Sequence, residues 1–180
     1  GSYVTHSGTC GDNLTWALNE FTGVLTISGT GDMYHYLDYN PPWNTHKNEI
    51  EKVVITEGVT SIGSYAFYTH QYIRDISIAD SVTIIGDHAF YKCTGLSNVV
   101  IGRGIKEINS YTFNGCTHLE TVTMSNSVEY LGMYAFSNST RLRDVYYLGT
   151  EGEWNAIMRT GIAIPGIAES LVGLANATIH

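Results

Sequence analysis

The side chains that most often carry chemistry are scattered along this sequence without the spacing of a catalytic or metal site. Seven histidines and three cysteines are spread over 180 residues. The sequence has no HExxH motif, which sets two metal ligands on one helix face, and no GxSxG nucleophile turn. The glycine-rich stretch Ser28–Asp32 lacks the Gly-Lys-Ser/Thr ending of a phosphate loop. We therefore expect a protein that is not an enzyme and uses no cofactor or metal.

Two cysteines, Cys93 and Cys116, stand 23 residues apart in stretches that resemble each other. If these stretches stack as parallel neighbours about 4.8 Å apart, their Cβ atoms lie further apart than the roughly 3.8 Å of a disulfide. We expect a buried column of free thiols, which reads His70, Cys93, Cys116 and Ser139 along the chain. A disulfide or a metal ion in this column is the alternative.

The elements that position these residues follow a repeat with a period of 23 residues. Four copies follow one another, at 50–72, 73–95, 96–118 and 119–141. Two apolar positions show the period best and hold Phe67, Phe90, Phe113 and Phe136, and Ile62, Ile85, Ile108 and Leu131. A fixed period of this length is typical of a stacked repeat array.

Within a copy, the pattern predicts a short strand followed by a short helical turn. In 73–95, Ile76 and Ile78 flank a polar residue, so both point to one face of a strand. Val82 and Ile85 return the chain inward, and a helical turn after Gly86 then buries the phenylalanine. The predicted fold class is α/β, a solenoid with a parallel strand face and short helical turns opposite.

A single copy cannot fold alone. It offers about six large apolar side chains, each worth roughly 2 kcal/mol on burial. Ordering 23 residues costs on the order of 1.5 kcal/mol for each residue. Neighbouring copies must therefore supply the missing contacts.

The residues before the repeats are predicted to cover one end of the array. After a flexible lead-in at 3–9, the stretch Asn13–Ile27 reads as a β-hairpin. Projecting the period backwards aligns Trp43 with Ala66, so 42–49 reads as a degenerate half-repeat. Terminal units of an array are atypical because they cover the open end of its core.

The residues after the repeats are predicted to cover the other end. Thr150 and Glu153 fit a capping box, which starts a helix over 151–158 that is interrupted near Gly161. A further short helix is expected at 167–174 and a final extended piece ends the chain. The predicted organisation is one structural domain with an N-terminal cap at 1–49, four repeats and a fifth strand at 50–149, and a C-terminal cap at 150–180.

Composition excludes some partners. The formal charge of −8 and the pI near 5.2 argue against nucleic-acid binding, which needs clustered Lys and Arg. No apolar run approaches the roughly 18 residues that span a membrane. The first residues lack the basic and apolar regions of a leader peptide, so we expect any leader to lie outside this chain.

The repeat unit resembles the BspA-type leucine-rich repeat. The residues that carry the resemblance in the second copy are Ile73, Ile76, Ile78, Val82, Ile85, Gly86, Ala89, Phe90 and Cys93. The stretches 10–16, 23–31 and 42–43 are similar to the N-terminal cap of such proteins, and 147–157 and 176–180 to their C-terminal flank. The third copy departs from the pattern at Asn109 and Thr112, which suggests local irregularity.

The resemblance implies a short leucine-rich repeat solenoid from a bacterial protein that is secreted or displayed on the cell surface. It also implies a role in adhesion and protein binding. Neither the ligand nor the binding face follows from it.

Two surfaces are candidate binding sites. The first is an aromatic position just before the buried Ala-Phe pair, which holds Tyr65, His88, Tyr111 and Tyr134. The second is the outer strand face, for which the candidates are Asn98, Val100, Thr121, Thr123, Asp144 and Tyr146. Tyrosine is enriched at binding hot spots, but these aromatics can also serve only to shield the turns, and the strand face can be merely solvated.

The leading hypothesis is a non-catalytic protein-binding or adhesion module of an exported protein, with a host protein or a second copy as partner. The alternative is a structural spacer or self-association module that presents another domain. A lesser alternative is glycan binding through the aromatic position.

Overall fold

The computed structural model describes residues 3–163 and 178–180. Strands dominate, and their bounds in chain order are β1 His6–Gly11, β2 Leu14–Asn19, β3 Val24–Gly29, β4 Gly31–Asp32, β5 Lys52–Ile55, β6 Val59–Ile62, β7 Asp75–Ile78, β8 Ile84–Ile85, β9 Asn98–Val100, β10 Glu107–Ile108, β11 Thr121–Ser125, β12 Tyr130–Leu131, β13 Asp144–Leu148 and β14 Thr178–Ile179. The described helices are a 3-10 helix at Asn44–His46 and an α-helix, α1, at Glu151–Ala163.

The N-terminal strands form an antiparallel meander. β2 pairs with β3 from Leu14 opposite Gly29 to Asn19 opposite Val24, so the predicted hairpin is confirmed. The predicted flexible lead-in at 3–9 is wrong, because β1 pairs antiparallel with β2 over most of its length. The polar sequence hid this strand, since its pairing comes from the backbone rather than from apolar alternation.

From β3 onward, the paired strands of the main face run parallel to one another. Between neighbouring copies, paired residues lie 23 positions apart, as with Val53 opposite Ile76 and Val122 opposite Val145. Strands β5 and β7 extend the N-terminal sheet, and β9, β11, β13 and β14 form a separate sheet. Among the described residues no strand pairing joins β7 to β9, so this face is divided into two sheets.

A second parallel sheet lies on another side of the solenoid and was missed by the sequence analysis. It is built from β4, β6, β8, β10 and β12, which neighbour one another in that order. Ile85 pairs with Ile62 on one side and with Ile108 on the other, and all three are fully buried. The two-residue strands are too short to show alternation. The sequence therefore showed that the chain returns inward here, but not that these residues pair as strands.

The predicted short helical turns are wrong. In the first copy, the N–H groups of Tyr65, Phe67 and Thr69 donate to the carbonyls of the next copy at 2.8–3.0 Å. The residues between them close tight turns to carbonyls three positions earlier. Tyr65 and Thr69 have positive φ angles of 61° and 58°, which a right-handed helix cannot contain. This third side is therefore a hydrogen-bonded ladder of turns.

Stacked aromatic rings fill the core. Phe67, Phe90, Phe113 and Phe136 are fully buried, with ring centroids 5.2–5.5 Å apart between neighbours. Trp43 begins this stack, 5.3 Å from Phe67, and its Nε1 donates to the carbonyl of Ala66 at 2.9 Å. The predicted alignment of Trp43 with Ala66 is therefore wrong for the side chain, which occupies the phenylalanine position.

The C-terminal helix begins as predicted. The N–H of Glu153 donates to Thr150 Oγ1 at 3.1 Å, and the N–H of Thr150 donates to Glu153 Oε1 at 3.4 Å, which completes the capping box. Trp154 and Ile157 are buried, with Trp154 against Tyr147. α1 runs past the predicted end at residue 158 and includes Gly161. The helix predicted at 167–174 lies outside the described residues.

The phenylalanine stack supplies a stability test. Phe90→Ala should lower the free energy of unfolding by about 3–5 kcal/mol, because it removes a buried ring and leaves a cavity between two neighbours. Phe21→Ala is the matched control, since Phe21 is 76% exposed and its loss should change stability by no more than about 0.5 kcal/mol. Urea unfolding followed by circular dichroism measures both, and equal losses would contradict the stacked core.

Candidate functional site

The structure brings the four aromatic candidates together in one surface column. The ring centroids of Tyr65 and His88 are 4.7 Å apart, those of His88 and Tyr111 4.6 Å, and those of Tyr111 and Tyr134 5.0 Å. The two contacts of His88 are nearly parallel, at 8° and 11°. All four side chains are partly exposed. They share one repeat position in the sequence, and the geometry makes that position a continuous stack.

Tyr39 extends the column and was missed. Its ring lies 4.6 Å from that of Tyr65, and its φ of 61° matches the φ of the other members. It precedes the first full copy, so the 23-residue period could not reveal it. We call Tyr39, Tyr65, His88, Tyr111 and Tyr134 the first column.

A second column of two rings runs beside the first. Tyr68 and Tyr91 stack at 5.1 Å and 7°, and Tyr39 also stacks on Tyr68 at 5.0 Å. The two columns are tilted against each other, by 58° between Tyr65 and Tyr68. Together the two columns, each taken as one wall, form a continuous aromatic surface that we call the aromatic trough. Tyr68 and Tyr91 are 23 residues apart, so the period could have identified them.

The first column occupies backbone that most residues avoid. Its members have φ between 57° and 61°, in the left-handed region. In the repeats its N–H reaches the next copy, as from Tyr111 to the carbonyl of Met133 at 2.9 Å. A second left-handed position in each copy holds Thr69, Lys92, Gly115 and Asn138. Glycine and asparagine suit that geometry, whereas tyrosine does not.

Two members of the first column, Tyr65 and His88, have pKa values shifted in favour of their neutral forms. Burial lowers the pKa of His88, although the nearby Asp87 opposes the shift. Burial also raises the pKa of the Tyr65 hydroxyl, with smaller effects from Tyr39 and Asp87. His88 Nδ1 is buried and has no hydrogen-bond partner. Tyr65 and His88 therefore favour their neutral forms and are not a pair tuned for acid-base chemistry.

The strand-face candidates lie in register but on the C-terminal sheet only. Asn98 lies beside Thr121 and Thr121 beside Asp144, while Val100, Thr123 and Tyr146 form the neighbouring row. The hydroxyl of Thr121 donates to Asn98 Oδ1 at 2.5 Å.

The last residue of the chain packs against this face. His180 stacks on Tyr146 at 4.7 Å and contacts Asp144 Oδ1 at 3.0 Å. Val100 and Tyr146 are 51% and 43% exposed. Among the six candidates, the exposed apolar groups are Val100 and Tyr146, which do not form a continuous stack.

The thiol column is buried, and its cysteines are free as predicted. Cys93 Sγ and Cys116 Sγ donate to the carbonyls of Phe67 and Phe90 at 3.2 and 3.4 Å. Burial raises the pKa of the Cys116 thiol to about 12 and that of Cys93 well above its usual value. Protonated, buried thiols neither attack nor ligate, so this column belongs to the core.

No group of three His, Cys, Asp or Glu side chains in residues 3–163 and 178–180 is placed to hold a metal ion. In the same part of the chain, no helix has both the length and the apolar character needed to cross a bilayer.

The repeats match a known protein family. A sequence profile of the BspA type leucine rich repeat region matches residues 45–153, in six copies. The chain belongs to this family. Leucine-rich repeats of this kind are typically protein-interaction modules without catalytic machinery. No curated protein is similar enough to count as a match.

Solved bacterial structures share the leucine-rich repeat fold. A leucine-rich repeat protein from Eubacterium ventriosum is 24% identical over 82% of this chain, with a TM-score of 0.62. The leucine-rich repeat protein of T. pallidum is 21% identical over 73% of this chain and 67% of its own, with a TM-score of 0.58. One from Bacteroides ovatus is 28% identical over 55% of this chain and 25% of its own, with a TM-score of 0.52. The chain spans 45% of the Eubacterium protein.

His70 is the first residue of the thiol column, and its burial predicts that acid destabilises the fold. It is fully buried, its Nδ1 lies 3.0 Å from the carbonyl of Tyr68, and its Nε2 has no partner. Burial lowers the pKa of His70 from 6.5 to about 4. Because the pKa of His70 is lower in the folded state than in the unfolded state, protonation of His70 does not destabilise the fold above pH 6.5. About 3 kcal/mol is then lost as the pH falls to about 4.

His70→Cys should remove most of this loss, since the same position holds cysteine in the next two copies. The measurement is the free energy of unfolding in urea at several pH values between 7 and 4. His118→Gln is the control, because His118 is exposed and its replacement should leave the pH slope unchanged. An unchanged slope in His70→Cys would show that His70 is not the group responsible.

Proposed function

We propose that this chain is a non-catalytic protein-binding module that engages its partner through the first column. The observation that supports the proposal is the unbroken stack of five partly exposed aromatic rings, from Tyr39 to Tyr134. Large aromatic side chains dominate binding hot spots because they bury much area with few rotatable bonds.

The stack also lowers the cost of binding. Each ring is held by its neighbours, and the backbone beneath is fixed by hydrogen bonds between copies. Immobilising a flexible side chain at an interface costs about 0.5–1.5 kcal/mol. A partner meeting rings that are already ordered avoids most of this cost.

Family membership supports a proposal about where the protein acts. We infer that the module belongs to a bacterial protein that is exported or displayed at the cell surface, where it acts in adhesion. The partner is then a host protein or another copy of the chain.

The strand face is the second candidate. Val100 and Tyr146 are exposed and flank Thr123 in one row, which gives a small uncharged surface. It offers fewer aromatic groups than the first column, so it ranks below it.

Peptide selection separates the two surfaces. A random-peptide display library is panned against the immobilised chain, and the affinity of each enriched peptide is measured by titration calorimetry. Tyr111→Ala and Tyr134→Ala should each weaken binding about tenfold or more, the effect of losing an aromatic hot spot. Thr123→Ala and Tyr146→Ala are the matched controls and should leave the affinity unchanged.

Thermal unfolding of each variant checks that the chain remains folded. If the strand-face variants abolish binding while the column variants do not, the strand face is the site and the first column serves to cover the turns.

A further inference from the structure

The stacked rings of the first column cover one another's faces. His88 has a parallel ring on each side, at 4.7 and 4.6 Å, so solvent meets ring edges and hydroxyl groups instead. Ring edges carry partial positive charge, and a tyrosine hydroxyl can donate a hydrogen bond. Along its length the column therefore favours a partner backbone that is rich in hydrogen-bond acceptors.

The spacing of the column matches one extended conformation. The two steps from Tyr65 through His88 to Tyr111 span about 9.3 Å. A polyproline II helix rises about 3.1 Å per residue with three residues per turn, so one turn also spans about 9 Å. A ligand in this conformation, lying along the stacking direction, would present an equivalent residue to Tyr65 and again to Tyr111.

The polyproline II backbone also has the matching chemistry. It makes no internal hydrogen bonds, so its carbonyls are free to accept. Proline has no backbone N–H, which leaves a proline-rich segment with an excess of acceptors over donors. The hydroxyl groups of Tyr68, Tyr91 and Tyr111 supply donors on the aromatic trough, whereas that of Tyr65 is already hydrogen-bonded with Tyr39.

Charge points to a cationic segment. The chain carries a formal charge of −8, and two exposed carboxylates, Asp38 and Asp87, directly precede members of the first column. Within the trough, Lys92 Nζ already lies 5.4 Å from the centroid of the Tyr91 ring. Because Lys92 already covers this ring, the Lys or Arg side chains of a ligand would pair with Asp38 and Asp87 instead.

We propose that the aromatic trough binds a proline-rich segment carrying Lys or Arg, in the polyproline II conformation and parallel to the stacking direction of the copies. This inference rests on the proposed function, because it names the partner of the same surface. Recognition of preordered proline-rich segments by aromatic surfaces limits the entropy lost on binding.

The test uses a fluorescein-labelled peptide with proline at every third position and flanking arginines, followed by fluorescence anisotropy. One control peptide keeps the arginines but replaces proline with glycine and serine, and another replaces arginine with glutamate. The proline-arginine peptide should bind at least about tenfold more tightly than either control. Equal binding of the glycine-serine peptide, or no binding of any peptide, would overturn the proposal.

Variants locate the binding. Tyr65→Ala and Tyr111→Ala should each lose about tenfold in affinity, and Tyr146→Ala on the strand face should lose nothing. Tyr111→Phe keeps the stacked ring and removes only the hydroxyl, so it should lose about two- to tenfold, the range for one neutral hydrogen bond. Because it perturbs the stack least, Tyr111→Phe keeps the test decisive if the alanine variants unfold. Unchanged affinity in Tyr111→Phe would overturn the assigned role of the hydroxyl groups.

The display selection separates this inference from the proposed function. Enriched peptides that need Tyr111 but lack proline would leave the first column as a binding site and reject its proline-rich partner. Enriched peptides that ignore Tyr111 and Tyr134 would reject both.

Discussion

The separation between neighbouring copies is the constraint on which every layer of this protein depends. Parallel strand pairing sets it at about 4.8 Å. The buried phenylalanine rings repeat at 5.2–5.5 Å, and the surface rings between Tyr65 and Tyr134 at 4.6–5.0 Å. Apart from the step between β7 and β9, which are not paired, the strand faces and the ladder of turns all bond to the same neighbouring copy, so no layer can change its spacing alone. The order of the surface column therefore comes from the backbone pairing beneath it.

The identity of the residues in the first column is not explained by backbone preference. A left-handed conformation costs a non-glycine residue about 1–2 kcal/mol. Stacking contributes roughly 0.5–1.5 kcal/mol for each ring pair, and the hydrogen bond to the next copy about 0.5–1.5 kcal/mol. The strain and the stacking are of similar size, and an asparagine or glycine at Tyr111 would relieve the strain and keep the hydrogen bond but lose the stacking. Aromatic side chains at this position are consistent with a use beyond folding.

Sequence predicted the parts of the fold that apolar side chains specify. Ile76 and Phe90 mark the buried face of a strand and the centre of the core, because their burial follows directly from the period. The second sheet was not predictable, since β8 has two residues and its pairing is a property of the backbone. The helical turns were predicted wrongly because positive φ at residues such as Tyr65 has no signature in a tyrosine.

For the candidate site, the 23-residue period identified the repeat position of the first column but not the residues that lie beside it. Tyr39 joins the column from outside the repeats, through tertiary packing that no local pattern encodes. The second column was visible in the spacing of Tyr68 and Tyr91, but its relation to the first depends on the turn geometry.

Differences between copies decide where specificity can lie. The position of Tyr68 and Tyr91 holds Asn114 in the third copy, which is buried and donates through Nδ2 to the carbonyl of Tyr134 at 3.1 Å. The second wall of the trough therefore ends at the second copy, while the first column continues on a backbone that the asparagine helps to hold. A partner that follows the whole column meets two aromatic walls at one end and a single wall at the other. That asymmetry makes the two ends of the surface chemically different, which identical copies would not.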